Sequence, residues 1–346
     1  MDTPGHFLIM EKPFNPYGGF RMSWINSLFV AALNWIFSWV GNYGWSVVIF
    51  TLLIRLLVLP LELKSRKGMR ATQRVQPKVA ALQKKYANDK EKLNQKMMEL
   101  YKKENVSPTA GCLPLLLTMP VLFIMFTAMR VVGNEHTIQM ILDLKNGIMP
   151  ELQSWLWIKN VFQPDSFAST ILPAFGDQLM AITPVSYSSI LTEENIAIAR
   201  EFLSTAEYAA IASEYGAGEF IKLQLNFIIA APVLTIPKSF AALMQYANGL
   251  FILPLLAGLS QFLMTQLQNG KMTEEQKAAQ ANNAANSGFM KWFFPIFSVW
   301  ICSTSNAAFS IYWMAANVIA IVQNWAMNWY FDREDAKLAA LEQQKQ

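Results

Sequence analysis

Five stretches of this 346-residue chain are long and apolar enough to be buried in lipid, and that feature excludes most folds. Crossing roughly 30 Å of hydrocarbon takes about 20 mostly apolar residues in a helix. The candidate spans are Trp45–Leu63, Cys112–Val132, Leu250–Leu267, Trp292–Ser303 and Phe309–Tyr330. The fourth holds only about a dozen residues, so it is expected to thin the bilayer or to stop short of one face. The chain as a whole is 53% apolar and 15% charged, with positive mean hydropathy, which fits a multi-span membrane protein better than a soluble domain.

Charge placement gives the orientation. Of 28 Lys and Arg residues, 13 fall in Lys64–Lys103. With that segment in the cytoplasm, the positive-inside rule sets the N-terminus outside, the tail inside and five crossings between them. The expected layout is an outer N-terminal segment (1–22), an interfacial helix (23–40), a first span (45–63) and a cytoplasmic basic hairpin (64–105). A second span (111–132), a long outer segment (133–246), a third span (249–267) and a cytoplasmic loop (268–290) follow, then a fourth span (291–304), a fifth (309–330) and a cytoplasmic tail (331–346). The fold class is all-α polytopic. Both cysteines, Cys112 and Cys302, lie in predicted spans, so a disulfide framework is not expected, and two histidines offer no metal site. No cofactor is expected. The first 22 residues lack the pattern of a secretory signal, and no lipid-attachment cysteine follows them.

Ser23–Val40 has apolar character throughout, yet on a helix its polar residues Ser23, Asn26, Ser27, Asn34 and Ser38 fall within an arc of about 120°. Trp24, Trp35 and Trp39 occupy the other face, the pattern of a helix lying at headgroup level. The competing reading is a true span. In the basic segment, Val75, Val79, Leu82 and Tyr86 form one apolar stripe, and Leu93, Met97, Leu100 and Tyr101 form another. Asn88 or Asp89 can cap the second helix, so the pair reads as an antiparallel hairpin packed on itself, with Pro77 kinking its first arm. In the outer segment, Thr192–Phe220 reads as one or two helices, and Trp155 and Trp157 suggest a piece at the interface. Phe227–Ile236 is apolar but too short to cross.

One residue breaks the apolar rule. Arg55 sits inside "TLLIRLLVLP", roughly 12 Å from the inner end of its span and 15 Å from the outer. A charge there costs on the order of 2.5–3.5 kcal/mol. Snorkelling to the cytoplasm works against the N-terminal lean of helical side chains. The spans hold no carboxylate except Glu62 at the far end of the first, so an ion pair at depth is not expected. Water remains: a hydrated cavity lined by Thr51, Thr118, Gln261, Thr265, Asn317, Gln323 and Asn324. Each of these side chains also has an ordinary alternative as an interhelical hydrogen bond. A dry seal or an acidic neighbour would remove the need for solvent. By contrast, Leu116, Met119 and Phe123 in the second span, and Phe294 and Phe297 in the fourth, read as lipid-facing residues or as an adaptable apolar surface.

The segments "GNYGWSVVIFTLLIRLLVLPLELKSRKGMR", "VQPKVAALQKKY", "MMELYKKENVSPTAGCLPLLLTMPVLF" and "FSIYWMAANVIAIVQNW" together resemble the YidC/Oxa/Alb membrane protein insertases. The likeness covers Trp35–Val132 and Tyr246–Tyr330, in the family's order. It implies a five-span core around a hydrophilic groove open to the cytoplasm and to lipid. Arg55 then matches the groove arginine and Thr51 the threonine one turn before it; Gln261 joins the lining. Tyr312, Trp313 and Asn317 match the residues of the last span that meet substrate, and the second and fourth spans match an apolar slide. The implied role is insertion and chaperoning of nascent membrane proteins in a bacterial plasma membrane. Membrane lipids, a Sec translocon and the ribosome are implied partners; neither catalysis nor recognition of nucleic-acid sequence is. The short tail argues against direct ribosome binding, and the missing large outer domain suggests a single-membraned bacterium. The outer segment 133–246 is longer than the resemblance leads one to expect. From the residues alone, a transporter or channel using the same wet cavity is the rival.

Overall fold

The computed structural model describes residues 23–106, 113–173, 177–224, 233–269 and 288–344. Helix α1 (Ser23–Val40) is followed by α2 (Tyr43–Lys85), α3 (Lys90–Lys103) and α4 (Leu113–Lys145). The long segment that follows α4 contributes α5 (Asp177–Met180), α6 (Glu193–Leu203), α7 (Ala206–Glu214), strands β1 (Phe220–Gln224) and β2 (Val233–Pro237), and α8 (Phe240–Tyr246). Helices α9 (Ile252–Asn269), α10 (Gly288–Thr304) and α11 (Ala307–Gln344) complete the chain. The fold is mostly helical; among the described residues, two helical stretches, Tyr43–Thr72 and Ala307–Glu334, are long and apolar enough to cross a membrane.

Several boundaries differ from those read in the sequence. The first span and the first arm of the hairpin are one unbroken 43-residue helix, and neither Pro60 nor Pro77 ends it. Helix α4 continues past Val132 to Lys145, so the outer segment begins helical. The fourth apolar stretch belongs to a 17-residue helix, about 25 Å long, rather than a dozen-residue one. The tail continues α11 to Gln344. The all-α expectation meets one exception: β1 and β2 pair antiparallel, with Phe220 opposite Pro237 and Gln224 opposite Val233. The apolar run 225–232 between them, most of the stretch judged too short to cross, lies outside the described residues.

Other expectations find their physical cause. Helix α1 buries Val30, Leu33 and Ile36 against α2 and α4, leaving Trp24 and Trp39 67% and 78% exposed. The hairpin closes on Val75, Val79 and Tyr101, with Met97 and Leu100 beside them. Asp89 caps α3 by accepting from Lys92 N, and Lys78 pairs with Glu104 at 2.5 Å across the two arms. Thr192 and Thr205 cap α6 and α7 in the same way.

A strap after α4, 153–165, fixes how the long helices run. Asn42, the cap of α2, donates to Ser154 O at 2.7 Å, and Tyr43 N donates to Gln153 Oε1. The first N–H groups of α11, on Ala307 and Ala308, donate to Gln163 O and Val161 O at 2.9 and 2.8 Å. The start of α9 is held by Asp165, which is fully buried. Its carboxylate accepts from Leu250 N (2.8 Å), Phe251 N (3.1 Å), Leu253 N (2.6 Å) and Trp157 Nε1 (3.3 Å). The orphan N–H groups that begin a helix need such acceptors, and an anion there also meets the positive end of the helix dipole. Gly249 is required beside it, because a Cβ would collide with the Asp165 carboxylate. Helices α2, α9 and α11 therefore all start at the strap, whereas α10 ends there and α4 passes it, with His136 flat against Phe162.

That stacking gives a pH prediction. His136 lies beyond the apolar stretch of α4, its ring 4.0 Å from Phe162 and edge-on to Tyr43 at 4.7 Å. Burial pushes its pKa down to about 4. A histidine whose folded pKa is depressed contributes stability at neutral pH that is lost as pH falls from the ordinary value of 6.5 toward 4, because the unfolded chain binds the proton first. Thermal unfolding is expected to show a loss of about 2–3 kcal/mol between pH 7.5 and 4.5 from this group. His136→Phe should remove that component of the acid sensitivity.

Candidate functional site

Arg55 faces along α2 toward Glu62, two turns on, and the structure overturns the expectation that it has no carboxylate within reach. Arg55 NH1 lies 3.3 Å from Glu62 Oε1, and the two side chains are 21% and 16% exposed. Residues seven apart return to the same helix face, separated by about 10 Å along the axis, which two long side chains extended toward each other can close. The i,i+7 pattern was present in the sequence as a usable signal. The need for solvent consequently does not follow from charge alone. One contact still leaves most of the five guanidinium donors unengaged by Glu62.

The polar residues of the expected lining are divided between two helix interfaces. Gln323 Nε2 donates to the backbone carbonyl of Arg55 at 3.4 Å, joining α11 to α2, and Tyr312 on the same helix is buried. On the other side, Asn317 Nδ2 donates to Ser260 Oγ at 3.1 Å and Asn324 Nδ2 to Met264 Sδ at 3.0 Å, joining α11 to α9. Gln261 is half-buried beside Ser260, and Thr265 returns its hydroxyl to Gln261 O. Thr51 is buried and donates to Val47 O in its own helix, so it does not present its hydroxyl to an open surface. The interhelical bonds treated as the ordinary alternative are thus present. Yet three buried polar atoms on α11 lack any protein partner: Trp313 Nε1, Gln323 Oε1 and Asn324 Oδ1. Buried polar groups nearly always find a partner, in protein or in water.

Of the apolar residues whose side chains the structure describes, Phe297 is half-buried against the core and the others are exposed. Phe123 and Met119 on α4 and Phe294 on α10 are exposed, and Phe297 stacks on Phe293 at 5.9 Å. The side chains of Leu116 and Thr118 lie outside the described residues. Helices α4 and α10 both pack against α11. Sequence reasoning missed Arg70, which pairs with Asp332 at 2.8 Å, donates to Asn328 and lies over the Phe331 ring at 5.0 Å. This contact ties the hairpin's base to the extension of α11.

An apolar helical assembly that holds a half-buried arginine–glutamate pair, with orphaned polar atoms on its last helix, has the character of a membrane protein. The model of the family described as 60Kd inner membrane protein matches residues 35–212 and 206–334, and the chain belongs to that family, the YidC/Oxa/Alb group. It is 40% identical over 135 residues to the membrane protein insertase YidC of Fusobacterium nucleatum, covering 39% of this chain and 58% of that protein. It is 37% identical over 163 residues to the YidC of Clostridium perfringens, covering 46% and 61%. Identity to the YidC of Rickettsia akari is 37% over 159 residues, covering 46% and 25%. The matches thus span between a quarter and about three-fifths of these relatives' lengths.

Proposed function

We propose that the chain is a membrane protein insertase that moves nascent membrane proteins into a bacterial plasma membrane, with five crossings and the hairpin in the cytoplasm. Membership of the family supports the activity, since the relatives carry the name membrane protein insertase. The supporting topological observation is the strap: three helices start there, another ends there and α4 passes it, the alternation that five crossings require. The single structural observation that carries the mechanism is the set of orphaned polar atoms on α11, of which Gln323 Oε1 belongs to the side chain that donates to the Arg55 carbonyl. Water would satisfy them in the resting protein, and polar groups of a client would replace that water. The polar outer segment of a client is drawn partway into this hydrated site, so that less low-dielectric thickness remains to be crossed. Its apolar helix leaves along the outward faces of α4 and α10. Arg55 acts here chiefly as a hydrogen-bond donor, because Glu62 offsets its charge. The Sec translocon and the ribosome remain candidate partners.

Crosslinking tests the activity. A photoreactive residue at Trp313 should capture a ribosome-bound single-span client; a carrier or channel would give no such adduct. The groove is tested separately. A cysteine at Gln323 should react with a membrane-impermeant maleimide applied from the cytoplasmic side, and full protection would count against a hydrated site.

A further inference from the structure

An open cavity of about 830 Å³ lies where α1 meets α4 and the outer segment, away from the Arg55 site. Its lining includes Trp24, Leu28 and Asn34 from α1, Glu135 from α4, and Tyr187 and Ile190 from the outer segment. We propose that this cavity binds the ammonium headgroup of a membrane phospholipid, with Glu135 as its counter-ion. This inference rests on the membrane topology proposed above but not on the insertion activity.

Among the described residues, Glu135 is the one acidic residue in the lining, no Lys or Arg lines the cavity, and Glu135 has no ion-pair partner. A half-buried carboxylate at a membrane surface, flanked by lipid phosphates, is poorly served by its surroundings unless a cation joins it. The neighbouring groups suit an ammonium ion. The Trp24 ring is two-thirds exposed, and Tyr187 presents a second aromatic ring; carboxylate and aromatic faces together recognise ammonium groups. Burial, then Glu135, pushes the Tyr187 pKa up, so its hydroxyl stays a neutral donor. Asn34 accepts from Tyr43 Oη at 2.6 Å through its Oδ1, which leaves its amide N–H groups to donate to a phosphate oxygen. Leu28 and Ile190 supply the apolar margin, and the exposed Trp35 and Trp39 further along α1 continue it for acyl chains. The absence of basic residues from the described lining disfavours a purely anionic headgroup.

The test is lipid retention by the purified full chain, read by native mass spectrometry after exchange against equimolar phosphatidylethanolamine, phosphatidylcholine and phosphatidylglycerol. The ammonium lipids should be retained over phosphatidylglycerol, and Glu135→Gln should lower their retention about tenfold while leaving phosphatidylglycerol unchanged. Trp24→Ala, at an exposed position that leaves the core intact, should lower it severalfold and serves if Glu135→Gln does not fold. Equal retention in wild type and both variants would overturn the proposal, as would preferred capture of phosphatidylglycerol. Displacement of the bound lipid by soluble ethanolamine at millimolar concentration would show a free-amine site and would likewise overturn it.

Discussion

Asp165→Asn is expected to destabilise the folded protein by about 3–5 kcal/mol, the range for removing one member of a buried, hydrogen-bonded charge arrangement. The carboxylate is fully buried and accepts three backbone N–H groups at the start of α9 together with the Trp157 indole N–H. An amide of the same shape can accept at only one of its two ends; the other would point N–H groups at N–H groups. The loss is compounded by Phe251, whose φ of 64° lies in the left-handed region that a bulky side chain avoids. That conformation costs on the order of 1–3 kcal/mol and persists only where surrounding contacts enforce it, as the two bonds from Asp165 to Leu250 N and Phe251 N do. Thermal unfolding in nanodiscs should register the change, with hydrogen exchange accelerating first at Leu250–Leu253. Exchange in the α2–α3 hairpin, which closes on its own apolar cluster, should be unaffected. Wild-type stability in Asp165→Asn would mean that the strap does not hold the third long helix.

Asp165 also marks the limit of what the sequence discloses. Periodicity, capping and charge balance are local signals, and from neighbouring residues alone they point to the helix of α1, the hairpin, a cap at Asn88 or Asp89 and one or two helices from Thr192, whereas the break at Thr205 comes from the structure. Asp165 acts on residues 85 to 88 positions away, and nothing in "FQPDSF" predicts that the chain returns to it at Gly249. Helix ends were misjudged for a related reason. Hydropathy reports where apolar composition stops, whereas hydrogen bonding continues for as long as helix-compatible residues follow, so α2, α4 and α11 all outrun their apolar stretches. At the site, the residue types were legible: Arg55 and the polar positions of α11 stand out against apolar neighbours. Their partners were less so. Asn317 and Asn324 turn to α9 and Gln323 to α2, a division set by the packing of three helices rather than by the pattern of one.

Arg55→Ala is expected to reduce client insertion by tenfold or more, equivalent to about 1.4 kcal/mol or more in the limiting step. On its own, that result would be ambiguous. Removing the guanidinium strands Glu62 as a largely buried carboxylate at 16% exposure, and an uncompensated buried charge can unfold the helix pair by itself. The double variant Arg55→Ala/Glu62→Gln separates the effects, since it takes away the donor without leaving an anion behind. If the guanidinium meets the client, the double variant folds as wild type does and still fails to insert. If Arg55 only neutralises Glu62, the double variant recovers insertion, and the proposed role of the arginine is wrong. Glu62→Gln alone supplies the third measurement. It leaves an arginine whose charge is no longer offset, so insertion of clients with acidic outer segments should rise relative to neutral ones, by a few-fold at low ionic strength. An unchanged acidic-to-neutral ratio, together with loss of insertion in the double variant, would assign Arg55 a hydrogen-bonding role and discard charge attraction.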